Sequence, residues 1–258
     1  MIAKLFYALR FMTSLPLPWK ENEDLVQVSR ASGMFPFVGL IIGFLLLAVQ
    51  YFSAFIFSGV TTALLQTIAW VIITGGLHLD GLSDTIDGLG SRRERERMLE
   101  IMKDSHIGAF GALALVLQML LKTALCYELN LIDPALILLV PVTARWGQLI
   151  VIRSFKPARK DGMGRFFQEH MRLREMSLGI ITVLAVYVLS ENTLMLPLLF
   201  IHAAAVYLMG HNISKKLGGL TGDVYGFICE TGEDLILVLV LIASALISSA
   251  GIQFPPIF

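Results

Sequence analysis

Between Ala31 and Leu79 the chain contains no Asp, Glu, Lys or Arg. Charge is scarce elsewhere too: 16% of the 258 residues carry it, against 56% that are hydrophobic, where a soluble domain has about a quarter charged. This composition excludes an ordinary water-soluble domain and leaves an integral membrane protein. The 20 basic and 20 acidic residues cancel, and no basic tail or basic-aromatic interleaving points to a nucleic-acid partner. Only two cysteines are present, Cys126 and Cys229, far apart and in or beside apolar runs. They are expected to be reduced and structural, which excludes a disulfide scaffold. A long apolar leader core is also missing, because Lys4 and Arg10 interrupt the first turns, so no cleavable signal peptide is expected.

What is there reads as an all-α protein, a polytopic membrane helix bundle in one domain over residues 1–258. Its plan is about seven transmembrane helices plus an N-terminal interfacial helix. The charge-free stretch is long enough for two spans of about 20 residues, with a turn near Ser58-Gly59. Further spans are expected at 107–127, 132–152, 177–190, 194–211 and 235–252. Residues 1–32 mix Leu5, Phe6, Leu9 and Phe11 with Lys4, Arg10, Lys20 and Arg30, which predicts an amphipathic segment on the membrane surface anchored by Trp19.

Eighteen of the twenty Lys and Arg residues fall in 1–32 or in three polar segments, 75–111, 153–176 and 211–234. By the positive-inside tendency these face the cytoplasm and the C-terminus lies outside. The other two, Lys122 and Arg145, fall within spans. Lys122 is expected to extend to the outer interface. Arg145, near the cytoplasmic end, is expected to have a partner or a task, with phosphate binding as the candidate role.

The polar island 75–111 carries the chemistry. If 79–87 continue the preceding apolar helix, Asp80, Asp84 and Asp87 stand at i, i+4 and i+7 and share one face. Like charges so placed repel by about 0.2–0.5 kcal/mol per pair, and a cation is the simplest remedy. Carboxylates without His or Cys at ligand spacing suit Mg²⁺, or Mn²⁺, before Zn²⁺. Glycines around the acids and Arg92, Arg93, Arg95 and Arg97 just after them suit a diphosphate. His78 is the one histidine beside the acidic face, a candidate general base or substrate contact.

In 153–176, Gly162 and Gly164 lie between Arg159 and Arg165, and bare backbone N–H groups with guanidinium forks match phosphate oxygens. In 211–234, Asp223 and Glu230 are seven apart and repeat the acidic theme, whereas Glu233-Asp234 suit a helix N-terminus. A metal-binding carboxylate cluster with arginines at a membrane face is suited to cleaving a phosphoanhydride.

Four stretches, GGLHLDGLSDTIDGL (75–89), LEIMKDSHIGAFG (99–111), ARKDGMGRFF (158–167) and GGLTGDVYGFICETGE (218–233), resemble the cobalamin synthase family, the adenosylcobinamide-GDP ribazoletransferases. FMTSLPLPW (11–19) and FPFVGLIIG (35–43) are similar to that family too, so the resemblance covers nearly the whole chain. It implies a transferase that joins adenosylcobinamide-GDP to α-ribazole or its 5′-phosphate and releases GMP, with Mg²⁺, in the cytoplasmic membrane. It also implies that the family's acidic motif falls on Asp80, Asp84, Asp87 and Asp104, and its second acidic patch on Asp223 and Glu230. Asp84-x-x-Asp87-Gly88 resembles the start of the CDP-alcohol phosphotransferase motif, whose later part is not reproduced, so a lipid headgroup transferase is the second reading. A cation-coupled transporter using buried acids is the third; it would place Asp80, Asp84 and Asp87 at mid-membrane depth.

Overall fold

The computed structural model describes residues 2–17, 25–189 and 195–249. Trp19 and Lys20 of the expected interfacial anchor therefore lie outside the described residues. Among those described there are helices and one isolated parallel bridge, Pro157 to Leu220, and no strand. In chain order the helices are α1 (Ile2–Met12), α2 (Leu25–Arg30), α3 (Phe35–Ala54), α4 (Gly59–Thr74), α5 (Leu77–Gly90), α6 (Arg95–Ile101) and α7 (Ala109–Ile132). They continue with α8 (Leu139–Ser154), α9 (Met163–His170), α10 (Leu173–Leu189), α11 (Leu196–Leu217) and α12 (Gly222–Ser249).

In their described residues all seven expected apolar segments form helices. Five are long and apolar enough to cross a membrane: Ser32–Ala54, Ala109–Ile132, Pro134–Ser154, Leu196–Leu217 and Gly222–Ser249. The 16 residues of α4 extend about 24 Å, short of the roughly 30 Å hydrocarbon layer, and pass as a span only when joined to α5. The described part of α10 has 17 residues, at the lower limit for a span. The chain is thus a multi-pass membrane helix bundle with five such spans among the described residues, six if the bent α4–α5 pair counts as one. Bulky apolar side chains such as Phe44, Ile68, Leu117, Ile181 and Phe200 point outward from five different helices, a continuous apolar exterior of the kind lipid covers.

The bundle is built around α8. In the most apolar 18 residues of its span 94% are buried, because α3, α10, α11 and α12 surround it. The N-terminal segment is more than an interfacial helix. Ala8, Arg10 and Met12 of α1 are buried, and Phe11 packs on Phe35 of α3 and Phe167 of α9 at centroid distances of 5.9 and 5.3 Å. Every third or fourth residue of α1 finds an apolar surface of the protein to cover, so it docks on the bundle.

The polar island does not continue α4 as one helix. Gly75 and Gly76 both adopt left-handed backbone, φ 63° and 69°, which costs little only without a Cβ. They end α4 and restart the chain as α5 at 91° to it. α5 thus runs nearly at right angles to α4. It is held there by a close crossing with α12: a Cβ on Gly81 would stand 2.5 Å from the Asp223 carbonyl oxygen, and one on Gly226 3.2 Å from the His78 Cα. Gly81→Ala should therefore part the two helices and cost about 1–3 kcal/mol, seen as a lower melting temperature of the purified protein in detergent. Gly222→Ala, whose new Cβ would meet nothing closer than 3.8 Å, is expected to leave it unchanged.

Candidate functional site

The three polar segments meet at one end of the bundle through backbone bonds. Ala158 N–H donates to the Leu220 carbonyl and Leu220 N–H to the Lys156 carbonyl, each 2.9 Å, which joins the second segment to the third. Arg95 of the first segment then ties both: its Nε donates to the Leu217 carbonyl at 2.7 Å and its Nη2 to that of Ala158 at 3.1 Å. Arg159 repeats the pattern, with Nη1 3.3 Å from Asp223 Oδ2 and Nη2 3.0 Å from the Leu99 carbonyl.

Two adjoining cavities result. One, of about 100 Å³, is lined by His78, Asp80, Gln148, Asp223 and Tyr225, with Phe11, Phe35 and Phe167 as an apolar wall. The other, of about 90 Å³, is lined by Arg159, Gly162, Gly164, Arg165 and Asp223. Asp223 belongs to both. It reaches this position because Thr221 Oγ1 accepts from the Val224 N–H and starts α12 there.

Within α5 the expected face exists even though the helix is a new one. Burial pushes Asp84 up to about 7, and the charges of Asp80, Asp223 and Asp87 push the same way, opposed by Arg159. Four carboxyls are thus within electrostatic reach of one another. Asp87 is committed differently: its two oxygens accept from the Gly108 and Gly111 N–H groups, 2.8 and 2.9 Å away. It satisfies the open N-terminus of α7, where a negative charge is favourable.

His78 is buried, and burial holds it well below its ordinary pKa, with Arg145 and Lys122 acting in the same direction. The Gln148 amide NH₂ contacts His78 Nε2 at 3.2 Å and donates to the Tyr225 carbonyl at 2.9 Å. That geometry makes Nε2 the acceptor and leaves Nδ1 to carry the proton, so the basic nitrogen is already engaged.

Other candidates stand apart. Asp104 is more than half exposed and turns to its neighbour His106, whose Nδ1 is 2.6 Å from Oδ1; that bond holds it below the usual carboxylate range. Arg165 lines the second cavity, but its guanidinium is taken up by Glu169 at 2.6 Å and by the Lys160 carbonyl. Arg92 lies beyond the end of α5 in a separate cleft with Arg93, Arg97 and Phe110.

Arg145 and Glu230 belong to a second, inner cluster. Arg145 has no exposed surface and pairs with Glu233. Lys122 does not reach the outer interface: its Nζ is 2.5 Å from both Glu230 and Glu233 and lies 4.6 Å from the centre of the Trp70 ring. Glu233 and Asp234 are likewise buried within α12 and do not cap its start. A low-dielectric interior makes compensated pairs the only stable arrangement of such charges, and the ammonium already occupies the place a metal would take on Glu230.

Among the described residues no three His, Cys, Asp or Glu side chains converge closely enough to hold a metal by themselves. Mg²⁺ does not require that, since it commonly takes one or two carboxylates and completes its shell with phosphate oxygens and water. The mutually repelling acids around Asp84 fit such an ion.

Sequence reasoning missed Arg95 as the tie, and its run of arginines carries no mark that singles it out. It also missed the Lys122 network. A signal for that existed: Gln118 and Lys122 are four apart on α7, and Glu230 and Glu233 three apart on α12, each pair on one helical face.

Fold and site together define a multi-pass membrane protein whose polar loops close into one carboxylate and arginine cleft at the end of the bundle. A family model described as cobalamin-5-phosphate synthase matches residues 4–242. The adenosylcobinamide-GDP ribazoletransferase of Roseiflexus sp. (strain RS-1) is 37% identical over 237 residues, 92% of this chain and 88% of that one. The protein of the same name from Desulfitobacterium hafniense (strain Y51) is 41% identical over 247 residues, 91% of this chain and 95% of that one. That from Brevibacillus brevis is 35% identical over 243 residues, 92% and 97% of the two chains. No solved structure matches. The chain belongs to the cobalamin-5-phosphate synthase family.

Two measurements check the two charge layers. Above about pH 7 the charged Asp84 opposes folding, because its folded pKa lies above the unfolded value of 3.8; below pH 3.8 both states are protonated and the penalty vanishes. In metal chelator, Asp84→Asn is therefore expected to raise the melting temperature at pH 8 and not at pH 3. Lys122→Met leaves the buried Glu230 carboxylate without its cation, Glu233 keeping Arg145, and should cost about 3–5 kcal/mol at neutral pH, read as loss of the folded detergent-solubilised monodisperse peak or a large drop in melting temperature.

Proposed function

We propose that the chain is a Mg²⁺-dependent transferase of the cytoplasmic membrane. It joins adenosylcobinamide-GDP to α-ribazole or its 5′-phosphate and releases GMP, with the site facing the cytoplasm. The observation that carries this reading is the position of Arg159 on Asp223, beside Asp80 and Asp84, where all three polar segments meet. The 35–41% identity to proteins named for this transfer supports it.

The reaction breaks the anhydride bond between the two phosphorus atoms and forms a P–O bond from the ribazole hydroxyl to the cobinamide-side phosphorus. Arg159, with the backbone of Gly162 and Gly164 beside it, holds the diphosphate oxygens and stabilises their growing charge. Asp80 and Asp223, on one cavity wall, are the carboxylates that would hold Mg²⁺, which when bound neutralises the phosphates and the leaving GMP. Asp84, within electrostatic reach of both carboxylates, accepts the hydroxyl proton as general base. His78, its basic nitrogen on Gln148, orients the cavity wall and leaves the proton to Asp84. The apolar wall of Phe11, Phe35 and Phe167 keeps water from the far side of the site.

The relatives named for a transfer reaction favour a transferase over a transporter. The purified protein, given adenosylcobinamide-GDP, α-ribazole and Mg²⁺, should release GMP. Asp84→Asn is expected to lower kcat by about 10²–10⁴-fold, and Asp80→Asn to raise the Mg²⁺ concentration needed for half-maximal rate. Full activity of Asp84→Asn would remove it as the base, and transfer from a CDP-alcohol to a lipid acceptor instead would favour the headgroup reading.

A further inference from the structure

Beyond the reaction centre, the line Asp80, Asp84, Asp87 along α5 runs on to Ser91 one further turn away and opens into a separate cleft. It is lined by Gly90, Ser91, Arg92, Arg93, Arg97, Ile101 and Phe110, with a volume of about 820 Å³. Pockets of that size hold whole small molecules.

Three features set it apart from a loop that is merely basic. Arg97 has a carboxylate partner, Glu100 at 2.9 Å, whereas among the described residues no ion pair is recorded for Arg92 or Arg93. Two adjacent guanidiniums facing one cleft repel unless an anion lies between them. Arg92 also adopts a backbone φ of 51°, the one non-glycine residue among those described with left-handed backbone. That conformation is disfavoured for a side chain of this kind and tends to persist where a site uses it. Finally, the Phe110 ring is 55% exposed, although it sits so close to the end of α5 that a Cβ on Gly90 would touch it at 3.0 Å. An anion-binding fork beside an open aromatic face has the chemistry of a phosphate joined to a planar base.

We propose that this cleft is a mononucleotide subsite, with Arg92 and Arg93 on a phosphate and Phe110 against the base. The proposal rests on the transferase reading, in which two ligands share that chemistry: GMP once it has left the anhydride site, and α-ribazole 5′-phosphate, a benzimidazole nucleotide. The cleft is anchored to the reaction centre by Asp87, whose oxygens hold the Gly108 and Gly111 N–H groups on either side of Phe110. A nucleotide seated there has its phosphate at the end of the same helix that carries Asp84, about 9 Å away along the helix axis.

The test compares the wild type with Arg92→Gln/Arg93→Gln and with Phe110→Leu, which keeps an apolar side chain and removes the ring. Each is assayed with α-ribazole and with α-ribazole 5′-phosphate as acceptor, and for inhibition by added GMP. If the acceptor occupies the cleft, the double variant raises KM for the phosphorylated acceptor by about tenfold or more and leaves KM for α-ribazole unchanged. If the leaving nucleotide occupies it, GMP inhibition weakens by a similar factor with either acceptor. Phe110→Leu is expected to shift the same parameter in the same direction. Unchanged KM and GMP inhibition in both variants would overturn the proposal, as would an effect seen only when anionic lipid vesicles are supplied, which would make the cleft a headgroup site. Equilibrium dialysis of GMP and of α-ribazole 5′-phosphate against wild type and both variants separates this from the parent reading. Wild-type binding lost in the variants supports the subsite even if no transfer is detected, and equal or absent binding rejects it even if transfer is robust.

Discussion

One guanidinium decides where the loops go. Arg95 donates to the carbonyls of Leu217 and Ala158, groups left over at the end of α11 and in the segment after α8, and so closes three sequence-distant loops into one surface. Backbone carbonyls buried without a donor are costly, so this tie both satisfies them and fixes the distance between the acids of α5 and the cations of the second loop. The parallel bridge of Pro157 and Leu220 makes the same joint from the other side. Without them the loop that carries Arg159, Gly162 and Gly164 would not be held against Asp223.

The charges of the chain divide into two layers with opposite electrostatic logic. In the inner layer Lys122 and Arg145 meet Glu230 and Glu233 directly, and each sign is answered by the other. In the outer layer Asp80, Asp84 and Asp223 face mainly one another, with Arg159 as partial compensation. A protein that only needed to fold would not accumulate repulsion there; such uncompensated sites belong to binding and chemistry. The inner layer lends rigidity to α12, on which Asp223 stands.

Much of this was legible in the sequence. The apolar runs gave every membrane-embedded helix, since about 20 apolar residues without charge have few other stable forms, and the offsets of Asp80, Asp84 and Asp87 gave their common face. What could not be read were relations through space. Gly75-Gly76 marks a break, but only packing on α12 turns the following helix through 91°. Glu230 and Asp223 share a helical face, yet seven residues carry Glu230 about 10 Å deeper, to Lys122 and away from the loops. Arg92, Arg93, Arg95 and Arg97 look alike as a run. Position on or off a short helix sends one to the backbone of other loops and leaves two in a cleft without an ion pair among the described residues.

The placement of Glu230 and Glu233 on the last helix bears on how the chain matures. Lys122 and Arg145 are synthesised and delivered to the bilayer well before α12 exists, so the nascent bundle carries two cations whose carboxylate partners among the described residues, Glu230 and Glu233, have yet to arrive. Only arrival of the C-terminal helix discharges them, and the same event delivers Asp223 to its cavity. Assembly of the core and completion of the site are one event, and a prematurely terminated chain lacks both.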